Sequence, residues 1–294
     1  MIHVKLSHAD TCNPAILATS GIAMLQNVKD VLIGRHSGSG PTDEPGATAY
    51  GMSLALKAGA HATIESVSAS LRLHSTWSTD HAAGLVATES RSLQALAKAA
   101  AEAGIECIAH APHRDFDEFL GSFVVQARLH DLTILDADPG ALANGRRLIE
   151  GLLTQSGRPL IVVPPGCTEF ADGNILVAWD GSATAARAVN DALPLLRTAA
   201  TVHVASVTGE KVLPALAGQA GLISHLGCHG IWAVERHLAL RNGDVAQTLR
   251  EAARDQADMI IMGGFAHRRV RELVLGGVTQ SLLGNSPVPL FMSH

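Results

Sequence analysis

The feature that most constrains the fold of this chain is a faint internal repeat. Residues 31–37 (VLIGRHS) resemble residues 175–182 (ILVAWDGS), and each is a short apolar run that ends in turn residues. Residues 146–163 resemble residues 271–291, because each combines a helix, a polar turn and a last strand with proline at its start. Proline at the start of a strand costs no ladder hydrogen bond. This self-similarity indicates two copies of one structural unit.

Within each half, short apolar runs alternate with segments of helical periodicity. In the first half we predict strands at 30–35, 61–69, 105–110, 131–136 and 159–163, and helices at 47–58, 79–103, 114–128 and 140–154. In the second half we predict strands at 175–180, 201–207, 231–237, 257–262 and 288–292, and helices at 183–197, 212–227, 244–255 and 270–284. Repeated strand–helix units give parallel strands. The prediction is an α/β fold of two Rossmann-like domains, each a five-stranded parallel sheet flanked by helices.

The boundary between the two units is expected near residue 168. Residues 164–174 are rich in proline, glycine and asparagine, as a linker is. A chain of 294 residues has the length of about two domains. We therefore predict an extension at 1–28, a first domain at 29–168 and a second at 169–294.

The N-terminal extension contains a weakly apolar stretch at residues 15–25, which has about the length of a signal-peptide core. Asp10 precedes this stretch and Pro14 adjoins it, which a signal peptide does not favour. We interpret the extension as an ordered segment of a cytoplasmic protein.

Composition excludes several classes of protein. Apolar residues make up 47% and charged residues 17%, so the chain is not of the disordered class. Aromatic residues make up only 3%, and the small aliphatic residues that dominate instead suit helices packed on a parallel sheet. A formal charge of −5 is not the basic footprint of a nucleic-acid-binding protein. No apolar run is long enough to cross a membrane.

Cysteine and histidine carry no clear metal or disulfide signature. The cysteines are widely separated without a CxxC pair and are expected to be reduced: Cys12, Cys107, Cys167 and Cys228. The two densest histidine groups are interpreted as a polar helix end and a solvated helix start rather than as metal sites. These groups are His225, Cys228 and His229, and His110 and His113 with Asp115, Asp117 and Glu118.

Candidate ligand-binding residues lie after the first and fourth strands of the second half. In open parallel sheets, ligands bind beyond the carboxyl ends of the strands, where the strand order switches. The first strand ends at Asp180, which can accept from an adenine amino group or a ribose hydroxyl. The fourth ends at Gly263 and Gly264, where backbone can approach a phosphate. Cationic groups follow: His267, Arg268, Arg269 and Arg271. From the residues alone, two interpretations stay open. One is a nucleotide site, and the other is a tight glycine turn beside a solvated helix face.

These motifs resemble the universal stress protein family. The resemblance is carried by Ile175–Ser182, by Ile260–His267 with Leu275–Val278, and by the closing Ser286–Leu290. The family pattern is Gly, two residues, Gly, nine residues, Gly, then Ser or Thr. In this chain Gly263 and Gly276 match that pattern. Ala266 and Gly277 depart from it, so a methyl group is added and a hydroxyl is lost where the family contacts phosphate.

The resemblance implies tandem five-stranded domains and a stress-response or signalling protein that binds ATP or AMP, with Mg accompanying ATP. The residues that it and the strand ends together predict for the site are Asp180, Gly181, Val207, Gly263, Gly264, His267, Arg268, Gly276, Gly277, Val278 and Thr279. No catalytic base or nucleophile is identified, so at most slow ATP hydrolysis is expected. The alternative is a scaffold or interaction module that binds no nucleotide.

The first half departs further from the pattern. His36 lies where Asp180 lies, and Asp136 and Asp138 follow the fourth strand, where their charge would repel a phosphate. We interpret this half as a scaffold, and the alternative is that it binds a neutral or cationic ligand. Family members often pair through their last strands, so residues 159–163 are expected beside residues 288–292 within this chain. A dimer of the whole chain stays open.

Overall fold

The computed structural model of the protein describes residues 25, 27–37, 46–68, 79–113, 115–137, 144–209, 218–254, 256–264 and 276–294. The first half contains β1 (Asp30–Ser37), α1 (Gly46–Ala58), β2 (His61–Ser68), α2 (Thr79–Glu102), β3 (Cys107–Ala109), α3 (Phe116–Ala127), β4 (Leu132–Asp136), α4 (Asn144–Gln155) and β5 (Leu160–Val163). The second half contains β6 (Asn174–Ala178), α5 (Ala183–Asp191), α6 (Leu193–Leu196), β7 (Thr201–Thr208), α7 (Gln219–Cys228), β8 (Ala233–Ala239), α8 (Val245–Arg254), β9 (Met259–Gly263), α9 (Gly277–Asn285) and β10 (Leu290–Ser293).

The ten strands form one sheet in the order β3-β2-β1-β4-β5-β10-β9-β6-β7-β8. Within each half every pair is parallel. The halves join where β10 pairs antiparallel with β5, with Phe291 opposite Ile161. The predicted α/β fold with mostly parallel strands is confirmed, as is the predicted neighbourhood of the two last strands.

Helices cover both faces of the sheet. Alternate strand residues point to opposite faces, so Ile33 packs with α1 and α2 while Leu32 packs with α3 and α4. The second half repeats this division, since Val177 packs with α5 and α7 and Leu176 with α8 and α9. Apolar runs that are buried on both faces are typical of parallel sheets.

One predicted helix is wrong in its continuity. Residues 183–197 were expected as a single helix, but α5 ends at Asp191 and α6 begins at Leu193. Pro194 lies at the start of α6, where its missing N–H is tolerated, and it cannot continue the hydrogen-bond ladder of α5. The predicted start of α7 and that of α9 fall on residues 212–217 and 270–275, outside the described residues.

Of the predicted extension, residues 1–24 and 26 lie outside the described residues. Leu25 and Val28 are buried in the core of the first half. The predicted linker packs on α1, where Phe170 meets the ring of Tyr50 edge-on and its N–H donates to Ser53 Oγ. In the part of the chain that the structure describes, no helix is long and apolar enough to cross a membrane.

Candidate functional site

A cavity of about 440 Å³ lies at the carboxyl ends of the strands of the second half. Its walls come from the ends of β6, β7 and β9, from β8, and from the starts of α5, α7, α8 and α9. The structure brings five predicted site residues together in its lining: Asp180, Val207, Gly263, Val278 and Thr279. This position is the switch point of the half-sheet, because the chain continues from β6 to β7 on one side and returns to β9 on the other.

The other predicted site residues do not line the cavity or cannot be placed. Gly276 and Gly277 immediately precede Val278, at the start of α9. Gly181 forms the turn between β6 and α5. Gly264 faces the other half of the molecule. His267 and Arg268 lie outside the described residues.

Hydrogen bonds from the side chains of its own residues hold the turn after β6 in place. Asp180 Oδ1 accepts from Ser182 N at 2.9 Å, and Ser182 Oγ accepts from Ala185 N at 3.1 Å, which caps α5 as an N-cap serine should. Gly181 has φ 70°, a conformation that favours glycine. The turn therefore holds the exposed Asp180 carboxyl group at the mouth of the cavity.

The two glycines at the end of β9, the last residue of the strand and the residue after it, are each required by a different close contact. A Cβ on Gly263 would lie 2.6 Å from both Ala185 N and Thr184 Oγ1, so β9 reaches the start of α5 only because this residue has no side chain. A Cβ on Gly264 would lie 3.1 Å from Leu153 Cδ1 of α4, across the junction of the two halves. Gly277 differs from both, because a Cβ there meets nothing within 4 Å.

The walls of the cavity combine an apolar surface with a few polar groups. Val207, Leu249 and Met262 supply apolar area on neighbouring elements. Gln219 is buried, and its Nε2 donates to Val204 O at 2.7 Å and to Arg236 O at 3.0 Å, which ties the start of α7 to β7 and β8. An apolar cleft with a few fixed polar groups is the usual form of a small-molecule site.

The sequence prediction missed Glu235 and His237, which both line the cavity. Glu235 Oε1 lies 3.3 Å from His237 Nε2. Arg236 lies between them in the strand, and its Nη1 donates to Ala252 O at 3.4 Å. The alternation of β8 was the available signal, because residues two apart in a strand share a face.

Comparison with known proteins identifies this half of the molecule. Residues 173–294 match the model of the universal stress protein family. These residues are a universal stress protein domain. No curated protein matches the sequence significantly.

Solved structures extend the likeness in fold to nearly the whole chain. A universal stress protein from Archaeoglobus fulgidus DSM 4304 matches 92% of this chain and 97% of its own, with a TM-score of 0.67 and 16% identity. A putative universal stress protein from Pseudomonas aeruginosa UCBPP-PA14 matches 92% of this chain and 94% of its own, with a TM-score of 0.57 and 14% identity. A universal stress protein in complex with cAMP matches 47% of this chain and 97% of its own at 14% identity, but its TM-score of 0.29 supports no inference about ligands here.

The first half has a buried carboxyl group at a position that corresponds to the cleft of the universal stress protein domain. By strand register, Glu65 on β2 stands where the domain has Ala205 on β7. Glu65 is 1% exposed, and its Oε1 accepts from Gln126 Nε2 at 2.9 Å. Its carboxyl oxygens also lie 3.2 Å from His110 Nδ1 and 3.0 Å from His113 Nε2. The sequence prediction did not identify this network.

A second carboxyl group distinguishes the first half. Asp136 stands where the universal stress protein domain has Gly263, and its Oδ1 accepts from Ala47 N at 2.7 Å, at the start of α1. The carboxyl group expected at the end of β4 therefore accepts a hydrogen bond from the start of α1. Asp138 lies outside the described residues.

Metal ligands and reactive thiols are not assembled in the described part of the chain. There, no group of three or more His, Cys, Asp or Glu side chains is arranged to hold a metal ion. Cys107, Cys167 and Cys228 are free thiols. Burial raises the pKa of Cys107 and of Cys167, which keeps both in the less reactive thiol form.

Proposed function

We propose that the cleft of the universal stress protein domain binds an adenine nucleotide, ATP or AMP, and that the chain is a nucleotide-responsive stress or signalling protein. The observation that carries the proposal is the cavity of about 440 Å³ at the switch point of the second half-sheet, with the starts of α5, α7, α8 and α9 at its wall. Its volume lies in the range of small-molecule sites, about 300–1,000 Å³. The function proposed is binding rather than catalysis.

The residues fit the parts of such a ligand. Val207 and Leu249 offer apolar surface for the base, and Asp180 offers an acceptor for an amino or hydroxyl group. The start of α9, at Gly277 and Val278, has backbone N–H groups suited to a phosphate. Mg²⁺ would accompany ATP through the phosphates. The segment between Gly264 and Gly276 contains a histidine and three arginines: His267, Arg268, Arg269 and Arg271.

A scaffold that binds no nucleotide is the second candidate. Gly263 and Gly264 both have packing reasons that require no phosphate. Among the described residues of the lining, the acidic side chains are Asp180 and Glu235, and none is Lys or Arg. This balance of charge disfavours a polyphosphate unless residues 265–275 compensate for it.

Calorimetric titration of the full chain with ATP, AMP and adenosine separates the two candidates. We expect saturable binding that Val207→Trp weakens at least tenfold by filling the cleft. Asp180→Asn tests how much the carboxylate charge contributes to binding, because the Oδ1 of the asparagine can still accept from Ser182 N and keep the turn. Asp117→Asn, an exposed carboxyl group of the first half, is the control. No binding of any of the three at millimolar concentration would favour the scaffold.

A gain of affinity tests the placement of the phosphate. Gly277→Ser restores the hydroxyl that the family pattern has at this position, and the site has room for it. We expect AMP and ATP to bind several-fold more tightly and adenosine to be unaffected. Gly284→Ser, near the end of the same helix and equally unobstructed, is the matched control.

A further inference from the structure

Strand β8 forms one edge of the ten-stranded sheet, and in the described part of the chain it pairs only with β7. It has seven residues, whereas β3 at the opposite edge has three. A long edge strand presents a row of backbone N–H and C=O groups that another strand can complete. Trp232, directly before β8, is 89% exposed, and Val234 within it is 45% exposed. This edge therefore presents both unpaired backbone and apolar side chains.

The side chains of β8 are divided between its two faces. Val234, Arg236 and Leu238 share one face, and Glu235 and His237 share the other. Val234 and Leu238 lie two residues before and two residues after Arg236. Glu235 lies directly before Arg236, and His237 lies directly after it. Such a pattern is complementary to itself when the strand direction is reversed.

We propose that β8 pairs antiparallel with β8 of a second copy of this chain, about a two-fold axis perpendicular to the sheet. Such an axis keeps each face of the sheet continuous, so opposed residues come from the same face. The register that uses the whole strand places Arg236 on the axis. It sets Glu235 opposite the partner's His237 and Val234 opposite the partner's Leu238.

Charge selects this register over its neighbours. A shift by two residues in one direction places Glu235 opposite the partner's Glu235, and like charges directly opposite are destabilising in sheets. A shift in the other direction places His237 opposite the partner's His237 and removes both pairs of Glu235 with His237 across the axis. Arg236 does not oppose the pairing, because its guanidinium is directed over its own α8, where it donates to Ala252 O.

The molecule already contains one antiparallel pairing between edge strands of parallel sheets. The two halves are joined by antiparallel pairing of β5 with β10, between two otherwise parallel sheets. The β8 pair would join two molecules in the same way, through an isologous interface. Because Glu235 and His237 also line the cleft, the dimer would place the partner's strand at the rim of the ligand site.

Analytical ultracentrifugation of the full chain over a concentration series tests the proposal. We expect a monomer–dimer equilibrium. His237→Glu should weaken dimerisation at least tenfold, because it opposes two acidic groups across the axis. The double variant Glu235→His with His237→Glu restores opposite pairs and should recover most of the loss. Trp232→Lys should weaken dimerisation, while Leu129→Lys, at an apolar residue 75% exposed elsewhere, should not.

Three results would overturn the proposal. The first is a chain that stays monomeric at all concentrations, which would leave the edge to a different partner. The second is a dimer that neither His237→Glu nor Trp232→Lys weakens, which would place the interface on another surface. The third is a charge-exchanged double variant no better than His237→Glu, with circular dichroism showing that both are folded.

Discussion

At the residue scale, the glycines around the cleft differ in what a side chain would meet. Gly263→Ala forces its Cβ against Ala185 N and Thr184 Oγ1, so we expect a loss of about 1–3 kcal/mol in the free energy of unfolding. Gly277→Ala meets open space at the start of α9, and we expect a change within about 0.5 kcal/mol. Urea unfolding of both variants checks this contrast. Equal effects would contradict the close approach of β9 to α5.

Glu65 offers a second test at this scale. Glu65→Ala leaves Gln126, His110 and His113 without their shared acceptor and opens a cavity, so we expect a loss of about 2–4 kcal/mol in the free energy of unfolding. Urea unfolding measures it. Glu106→Ala, an exposed carboxyl group in the same half, is the control. A loss no larger than that of the control would show that the buried network does not hold the first half together.

His203 predicts a dependence of stability on pH. Burial lowers the pKa of His203, and the nearby Arg236 lowers it further. The unfolded chain, with a histidine pKa of about 6.5, therefore binds a proton at a higher pH than the folded chain does. By linkage, this residue lowers stability as the pH falls through that window and has no effect above it.

We accordingly expect His203→Gln to lose less stability than the natural chain between pH 7.5 and 5.0, with no change in this difference above pH 7.5. Thermal melting across this range measures the difference. Parallel curves for the two proteins would contradict the shift in the pKa of His203.

At the element scale, most of the fold could be predicted because each element is a long and regular pattern. The buried strands β6 and β9 are uninterrupted apolar runs bounded by turn residues. Ser182 caps α5 as its sequence predicts. The break between α5 and α6 is not evident from periodicity, because apolar residues at helical spacing continue through Ala192 and Leu196, past Pro194.

The candidate site could be predicted only in part. Asp180 and Gly263 follow from position, because the ends of β6 and β9 meet at the switch point. The alternation of β8 places Glu235 and His237 on one face, but the sequence does not show how far β8 and α7 reach across the cleft, so the contribution of these two residues and of Gln219 was missed. Glu65 is a comparable case, since a lone acidic residue in a strand does not reveal that Gln126 and two histidines enclose it.

At the scale of the whole molecule, the two halves share one sheet through β5 and β10. Phe291 is 1% exposed and lies between Ile161 of β5 and Ile261 of β9. Unfolding either half therefore exposes an apolar edge of the other. We expect differential scanning calorimetry to show one transition, with calorimetric and van 't Hoff enthalpies that agree.

Phe291→Ala should lower the midpoint of that single transition without splitting it, at a cost of about 3–5 kcal/mol. Leu129→Ala, at an apolar residue that is 75% exposed, is the control and should change little. Two separate transitions in the natural chain would show that the halves fold independently despite the shared sheet.

The two halves of the molecule differ at the carboxyl ends of their strands. One half has an open cleft at Ala205 and Gly263, and in the other half Glu65 and Asp136 occupy the corresponding positions. The most direct measurement is a crystal structure of the full chain grown with saturating AMP or ATP. We predict one nucleotide per chain, in the second half, in contact with Asp180 and the start of α9. An empty second-half cleft at saturating nucleotide, or a nucleotide bound beside Glu65, would contradict the account.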